Sequence, residues 1–171
     1  MGLKLALFVS MILVLIFTDL TEFILPDEIT LVGLLIGVVL SPFIPLEPVL
    51  SPALWFFMVL QPPAWVSSLT ESLLGATVIG GLLYSVGEVY YRVRHVEGLG
   101  LGDVKMMAMV GAFWGIGYTM FILIWGAIIG AVTGVLIVLI GRKKWSHALP
   151  FGSYLGATAI IVAIWRSGIL T

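Results

Sequence analysis

The chain has 171 residues, 61% of them hydrophobic and 10% Asp, Glu, Lys or Arg, with a formal net charge of −1. Soluble domains are about half apolar and about a quarter charged, so this composition excludes a soluble globular domain, and the abundance of apolar side chain excludes disorder. No overall basic field is available for nucleic acid; with no cysteine and two histidines, His95 and His147, thiolate chemistry is excluded and a His-based metal site or Ser-His-Asp triad is disfavoured.

A bilayer core about 30 Å thick takes a helix of roughly 20 apolar residues. The first such stretch covers residues 3–20. It is followed by no small-residue cleavage site, so it is expected as a retained helix rather than a signal peptide. Pro26, Asp27 and Glu28 then punctuate the chain. Asp27 suits a helix N-cap, and Glu28 brings negative charge to the positive end of the second stretch, 29–44. Residues 46–70 contain Pro48, Pro52, Pro62 and Pro63, with Trp55 and Trp65 suited to a membrane boundary, and are expected as a partly interfacial loop. The third stretch, 72–91, ends at Arg92 and Arg94. The fourth, 104–116, is closed by Gly115 and Gly117. The fifth, 119–140, runs into Arg142, Lys143 and Lys144, and the sixth covers 149–165. The expected fold is all-α: a polytopic bundle of about six transmembrane helices forming a single membrane-embedded domain over residues 1–171.

Charge placement orients this bundle. With both termini outside, six of the eight Lys and Arg residues (Arg92, Arg94, Lys105, Arg142, Lys143, Lys144) fall on the cytoplasmic side, leaving Lys4 and Arg166 outside. Glycines four apart (Gly33 and Gly37, Gly111 and Gly115, Gly126, Gly130 and Gly134, Gly152 and Gly156) are expected to let helix backbones approach closely.

A carboxylate at membrane depth costs about 2.5 to 3.5 kcal/mol on insertion scales, so each one calls for a role. The candidates are Asp19, Glu88 and Asp103. Glu88 lies four residues from Tyr84 on one helical face and reads as structural. Asp19 closes the first helix. Asp103 opens the fourth, directly after Gly98-Leu99-Gly100-Leu101-Gly102. Both fall at cytoplasmic helix ends, where side chains from different helices can meet. Two close carboxyls share a proton, so that one serves as base toward water and the other as acid toward a carbonyl. Helix-end dipoles alone place the shared proton on Asp19, near a C-terminus, rather than on Asp103, at an N-terminus. The glycines before Asp103 either let a substrate strand lie against the loop or simply form a turn. Membrane carboxylates also serve proton and ion pathways, so a transporter using the same pair is the alternative from another class, and a non-catalytic assembly subunit a third.

The string Gly100-Leu101-Gly102-Asp103-Val104-Lys105 resembles the GxGD-x-K motif of bacterial type IV prepilin peptidases, which are GxGD intramembrane aspartyl proteases. Asp19-Leu20, followed by Leu25-Pro26-Asp27-Glu28-Ile29-Thr30, resembles the family's first aspartate block. Leu149-Pro150-Phe151-Gly152 resembles its late block, in which Ser153 stands where the family often has proline, a minor change. The order and spacing of the three blocks span essentially the whole chain as the peptidase domain.

The resemblance implies a leader peptidase that removes the short basic leader from prepilins or pseudopilins, after a glycine, at the cytoplasmic face of the bacterial cytoplasmic membrane. It implies Asp19 and Asp103 as the catalytic pair. Gly100, Gly102 and Lys105 would shape the site, and Pro150 and Gly152 would line it. Pro26 and Asp27 fit the family pattern but are read here first as a helix cap. No cofactor or metal is expected. The expected partners are the leader peptide with its N-terminal helix, and membrane lipid, with no nucleic acid. The paired CxxC motifs of typical members are missing, so protease activity alone is expected. An archaeal-type preflagellin peptidase is the nearest rival. Acidic Glu22, Asp27, Glu28 and Glu97 lie near the same loops and would attract a basic leader, though salt screens exposed pairs.

Overall fold

The computed structural model describes residues 2–58, 62–95, 98–141 and 150–167. Among them the regular structure is entirely helical: α1 (Gly2–Glu22), α2 (Asp27–Leu40), α3 (Ser51–Phe57), α4 (Ala64–Arg94), α5 (Leu101–Gly141) and α6 (Phe151–Arg166). This is an all-α protein of membrane type. α1, α4 and the Leu101–Ile137 part of α5 are long and apolar enough to cross a membrane by length and composition, whereas α6 has 16 residues and α2 has 14. Arg142, Lys143, Lys144, His147, Leu149 and Glu97 lie outside the described residues.

The fourth and fifth stretches are two helical segments separated, as expected, at Gly115, whose φ of 74° and ψ of 179° belong to a region that only glycine occupies readily. A straight helix of 41 residues would run about 60 Å, twice the hydrocarbon thickness, and the glycine divides it. The proline-rich segment 46–70, expected as a loop, differs from the expectation in being partly helical. Pro52 occupies the first turn of α3, and Pro63 is the N-cap of α4. Proline's missing N–H costs nothing at a helix start, so these prolines begin helices that the sequence reading left as loop.

α5 is the centre of the bundle. It packs along α4, α6 and α2, while α1 packs along α6. The core between them is formed by Phe8, Ile12 and Leu15 of α1, Ile79 of α4, Met106, Met109 and Phe113 of α5, and Leu155 and Ala159 of α6. Glycines set the spacing, as expected. Gly33 and Gly37 face Met109, Ala112 and Phe113, Gly126 faces Leu155, and Gly156 faces Ile16. The tightest crossing joins Gly111 to Gly75, a residue the spacing pattern did not reveal; a Cβ on Gly75 would lie 2.5 Å from the Gly111 carbonyl oxygen.

Candidate active site

Asp19 lies in the last turn of α1 and is 5% exposed. One of its oxygens, Oδ2, accepts hydrogen bonds from the backbone N–H of Ser153 at 2.6 Å and from the Ser153 hydroxyl at 2.7 Å. Ser153 is in the first turn of α6, which starts behind the N-cap Pro150 and has no side-chain cap of its own. The first N–H groups of a helix need outside acceptors. Asp19 supplies one from another helix, at the end where the dipole favours negative charge. Two helix ends therefore act on Asp19, and the one that hydrogen-bonds to it is the N-terminus of α6. The sequence reading saw only the C-terminus of α1, and its reason for placing the shared proton on Asp19 no longer holds. Ser153 is likewise more than a minor change, since proline there would remove both donors.

Asp103 lies in the first turn of α5, as expected, and is 9% exposed. Its own N–H donates to the Gly100 carbonyl at 3.1 Å. Its Oδ1 is buried and has no hydrogen-bond partner. Because nearly all buried polar atoms are paired, this oxygen calls for a functional explanation.

The two carboxylates meet at Gly152. A Cβ built on Gly152 would lie 2.9 Å from Asp103 Oδ1, 3.0 Å from Leu25 Cδ1 and 3.2 Å from Asp19 Oδ2. Both oxygens thus border the space left by one absent side chain. Gly102 plays a similar part, since its Cβ would lie 2.9 Å from Leu25 Cβ, and a Cβ on Gly100 would lie 3.4 Å from Asp103 Oδ2. Pro150 helps indirectly by starting the helix whose third residue is Ser153, and its carbonyl accepts the Ser153 N–H at 3.2 Å. Among the described residues no group of three or more His, Asp or Glu side chains could hold a metal ion.

Lys105 is placed differently. Its ammonium lies 2.7 Å from both oxygens of Asp27, in a half-exposed ion pair that ties α5 to the start of α2. Asp27 is the first residue of α2, and no side chain caps that helix, so Asp27 serves as Lys105's partner rather than as a cap. Glu88 pairs with Arg92 at 2.7 Å rather than with Tyr84.

Sequence reasoning missed two residues. Leu25, in sequence only part of a motif, stands against Gly102 and Gly152. Glu71 is fully buried and accepts the Leu50 and Ser51 N–H groups at 3.2 and 3.0 Å, anchoring the start of α3 to α4. Its local signal is weak, because it lies between Thr70 and Ser72 in a stretch that also holds Ser67 and Ser68 and so reads as polar loop. A cavity of about 520 Å³ opens between α4, α5 and Phe151 at the start of α6. It is lined by Leu83, Val86, Tyr90, Leu99, Leu123 and Phe151, the last being the neighbour of Gly152.

The model of the type IV leader peptidase family matches residues 6–135. Proteins named prepilin leader peptidase/N-methyltransferase are similar to this chain. That of Aeromonas hydrophila is 28% identical over 96% of this chain and 50% of its own length. That of Pseudomonas aeruginosa is 32% identical over 67% of this chain and 39% of its own length. That of Stutzerimonas stutzeri is 29% identical over 70% of this chain and 41% of its own length. The chain thus spans half or less of the length of these relatives. No solved structure matches it.

Proposed function

Because the chain belongs to the type IV leader peptidase family, we propose that it is an intramembrane aspartyl endopeptidase that removes the basic leader from a type IV prepilin or pseudopilin. The observation that carries this reading is the convergence of Asp19 and Asp103 on Gly152.

Asp19, held by two donors from Ser153, acts as the base. It takes a proton from a water molecule as that oxygen attacks the carbonyl carbon of the scissile amide. Asp103, carrying the pair's shared proton, gives it from its unpaired side to the carbonyl oxygen, and a tetrahedral diol forms. Asp19 then passes its proton to the amide nitrogen, the C–N bond breaks, and Asp103 recovers a proton from the diol as the new carboxyl forms. Each carboxyl ends as it began. The apolar cavity beside Phe151 suits the hydrophobic segment that follows a leader.

Charge placement supports a cytoplasmic site with both termini outside. The C-terminal ends of α1 and α4 and the N-terminal end of α5 bring Asp19, Arg92, Arg94, Asp103 and Lys105 to one end of the bundle. Lys4 and Arg166 meet over the Trp114 ring, each 5.5 Å from its centroid, at the first turn of α1 and the last turn of α6. A transporter would place its carboxylates near the bilayer midplane, whereas these two lie in terminal turns.

The test is cleavage of a prepilin by the detergent-solubilised chain and by Asp19→Asn and Asp103→Asn. Cleavage by the unmodified chain and by neither variant is expected. Undiminished cleavage by either variant overturns the role given to that aspartate.

A further inference from the structure

The turn between α1 and α2 contains three apolar residues in succession, and only one of them faces inward. Phe23 takes a left-handed backbone conformation (φ 55°), and its N–H donates to the Asp19 carbonyl at 3.1 Å. A non-glycine residue in that region is uncommon outside tight turns and helix ends. The turn leaves Phe23 and Ile24 more than half exposed and buries Leu25 to 9% exposure. The chain therefore accepts a sparsely populated backbone conformation while leaving two large apolar side chains out and directing the third into the site.

Leu25 lies against the two backbone segments that present the aspartates. Its Cβ approaches Gly102, beside Asp103, and its Cδ1 approaches Gly152, beside both carboxylates. The three heavy atoms nearest the Cβ position of Gly152 are Asp103 Oδ1, Leu25 Cδ1 and Asp19 Oδ2. The only hydrocarbon among them is the Leu25 methyl.

We infer that Leu25 is a specificity-determining residue of the reacting centre. Its Cδ1 methyl fills the space beside the aspartates that the side chain of the residue donating the scissile carbonyl would need, so the site takes a residue without one. In an amide poised for attack, the carbonyl carbon lies between the carboxylates and its α-carbon is one bond, about 1.5 Å, away. A Cβ on that residue enters the space held by Leu25 Cδ1. Leu25 cannot easily withdraw, because its Cβ is packed against Gly102. This inference rests on the leader-peptidase reading and adds the side chain that sets its residue preference.

The experiment compares two prepilins, with Gly or Ala immediately before the cleaved bond, as substrates for the full chain and for Leu25→Ala, Leu25→Val and Leu25→Met. The quantity read is the ratio of kcat/KM for the two substrates, which does not depend on the fraction of enzyme correctly folded. The unmodified chain and Leu25→Met are expected to favour glycine strongly. Leu25→Ala is expected to raise the alanine-to-glycine ratio by about tenfold or more, the scale of one methyl-sized pocket change, with Leu25→Val in between. An unchanged ratio in Leu25→Ala overturns the inference while leaving the peptidase reading intact. If Leu25→Ala and Leu25→Val cleave neither substrate, Leu25 positions the aspartates instead, and the inference is again overturned. If the unmodified chain cleaves neither, the peptidase reading fails and the inference fails with it.

Discussion

Ser153 donates both its backbone N–H and its hydroxyl to one oxygen of Asp19, at 2.6 and 2.7 Å, across 134 residues of chain. The contact joins the last turn of α1 to the first turn of α6. It also fixes the direction in which the Asp19 carboxylate points, so packing of α6 and orientation of the proposed base are set by the same atoms.

Ser153→Ala keeps the N–H and removes the hydroxyl. A hydrogen bond to a charged group contributes about 1.5 to 3 kcal/mol, so kcat for leader cleavage is expected to fall by about tenfold or more with KM little changed. Single-turnover kinetics at saturating enzyme would check this. A rise in KM at constant kcat would instead assign Ser153 to substrate binding.

Gly152→Ala places a methyl 2.9 Å from Asp103 Oδ1 and 3.2 Å from Asp19 Oδ2. The helix tolerates alanine, so folding should survive, but the oxygens must move apart. Displacements of about 1 Å at a reacting centre cost roughly a hundredfold in rate. Cleavage assays paired with a thermal melt in detergent should show activity lost and melting nearly unchanged.

Gly75→Ala and Gly81→Ala give opposite expectations from the same chemical change. At Gly75 the new Cβ meets the Gly111 backbone at 2.5 Å, so α4 and α5 must separate, at a cost of about 1 to 3 kcal/mol. At Gly81 nothing lies within 4 Å, and better helix propensity adds up to about 1 kcal/mol. Melting temperatures of the two variants should lie on opposite sides of the unmodified chain.

Glu71→Ala leaves the Leu50 and Ser51 N–H groups without their acceptor at a buried position. A loss of about 2 to 3 kcal/mol is expected, with a smaller loss for Glu71→Gln, which keeps one carbonyl oxygen. Since Glu71 belongs to the first turns of α4 and the dyad lies near Gly152, cleavage at low temperature should persist. An inactive but fully stable Glu71→Ala would contradict a structural role.

Lys105→Ala and Asp27→Ala break an ion pair whose side chains are 34% and 53% exposed. Such pairs contribute at most about 1 kcal/mol and weaken with salt. Both variants should melt close to the unmodified chain and retain most cleavage. Abolished cleavage by Lys105→Ala at unchanged stability would return Lys105 to the reacting centre.

Much of this molecule is legible in one dimension. The bilayer demands long apolar helices, so apolar runs mark α1, α4 and α5. The cost of charge in lipid draws attention to Asp19 and Asp103, and glycine spacing marks the helix faces in contact. The misreadings have physical causes. Pro52 and Pro63 look like helix breakers but start helices, because a first-turn proline lacks only an N–H that would be unpaired anyway. Lys105 lies two residues from Asp103, and its contact with Asp27 on α2 is a long-range pairing that local sequence does not reveal.

The amino-acid sequence by itself determined the helical class, the elements that carry the two aspartates, and the end of the bundle at which those elements terminate, because hydrophobicity, charge and local helix signals are properties of neighbouring residues. Only the tertiary structure decided that Gly152 is where the carboxylates meet, that Ser153 holds one of them, that Leu25 packs against Gly102 and Gly152, and that Glu71 anchors α3. In lipid, helix faces are all similarly apolar, so which faces touch is decided by close backbone approach and a few hydrogen bonds between residues far apart in the chain.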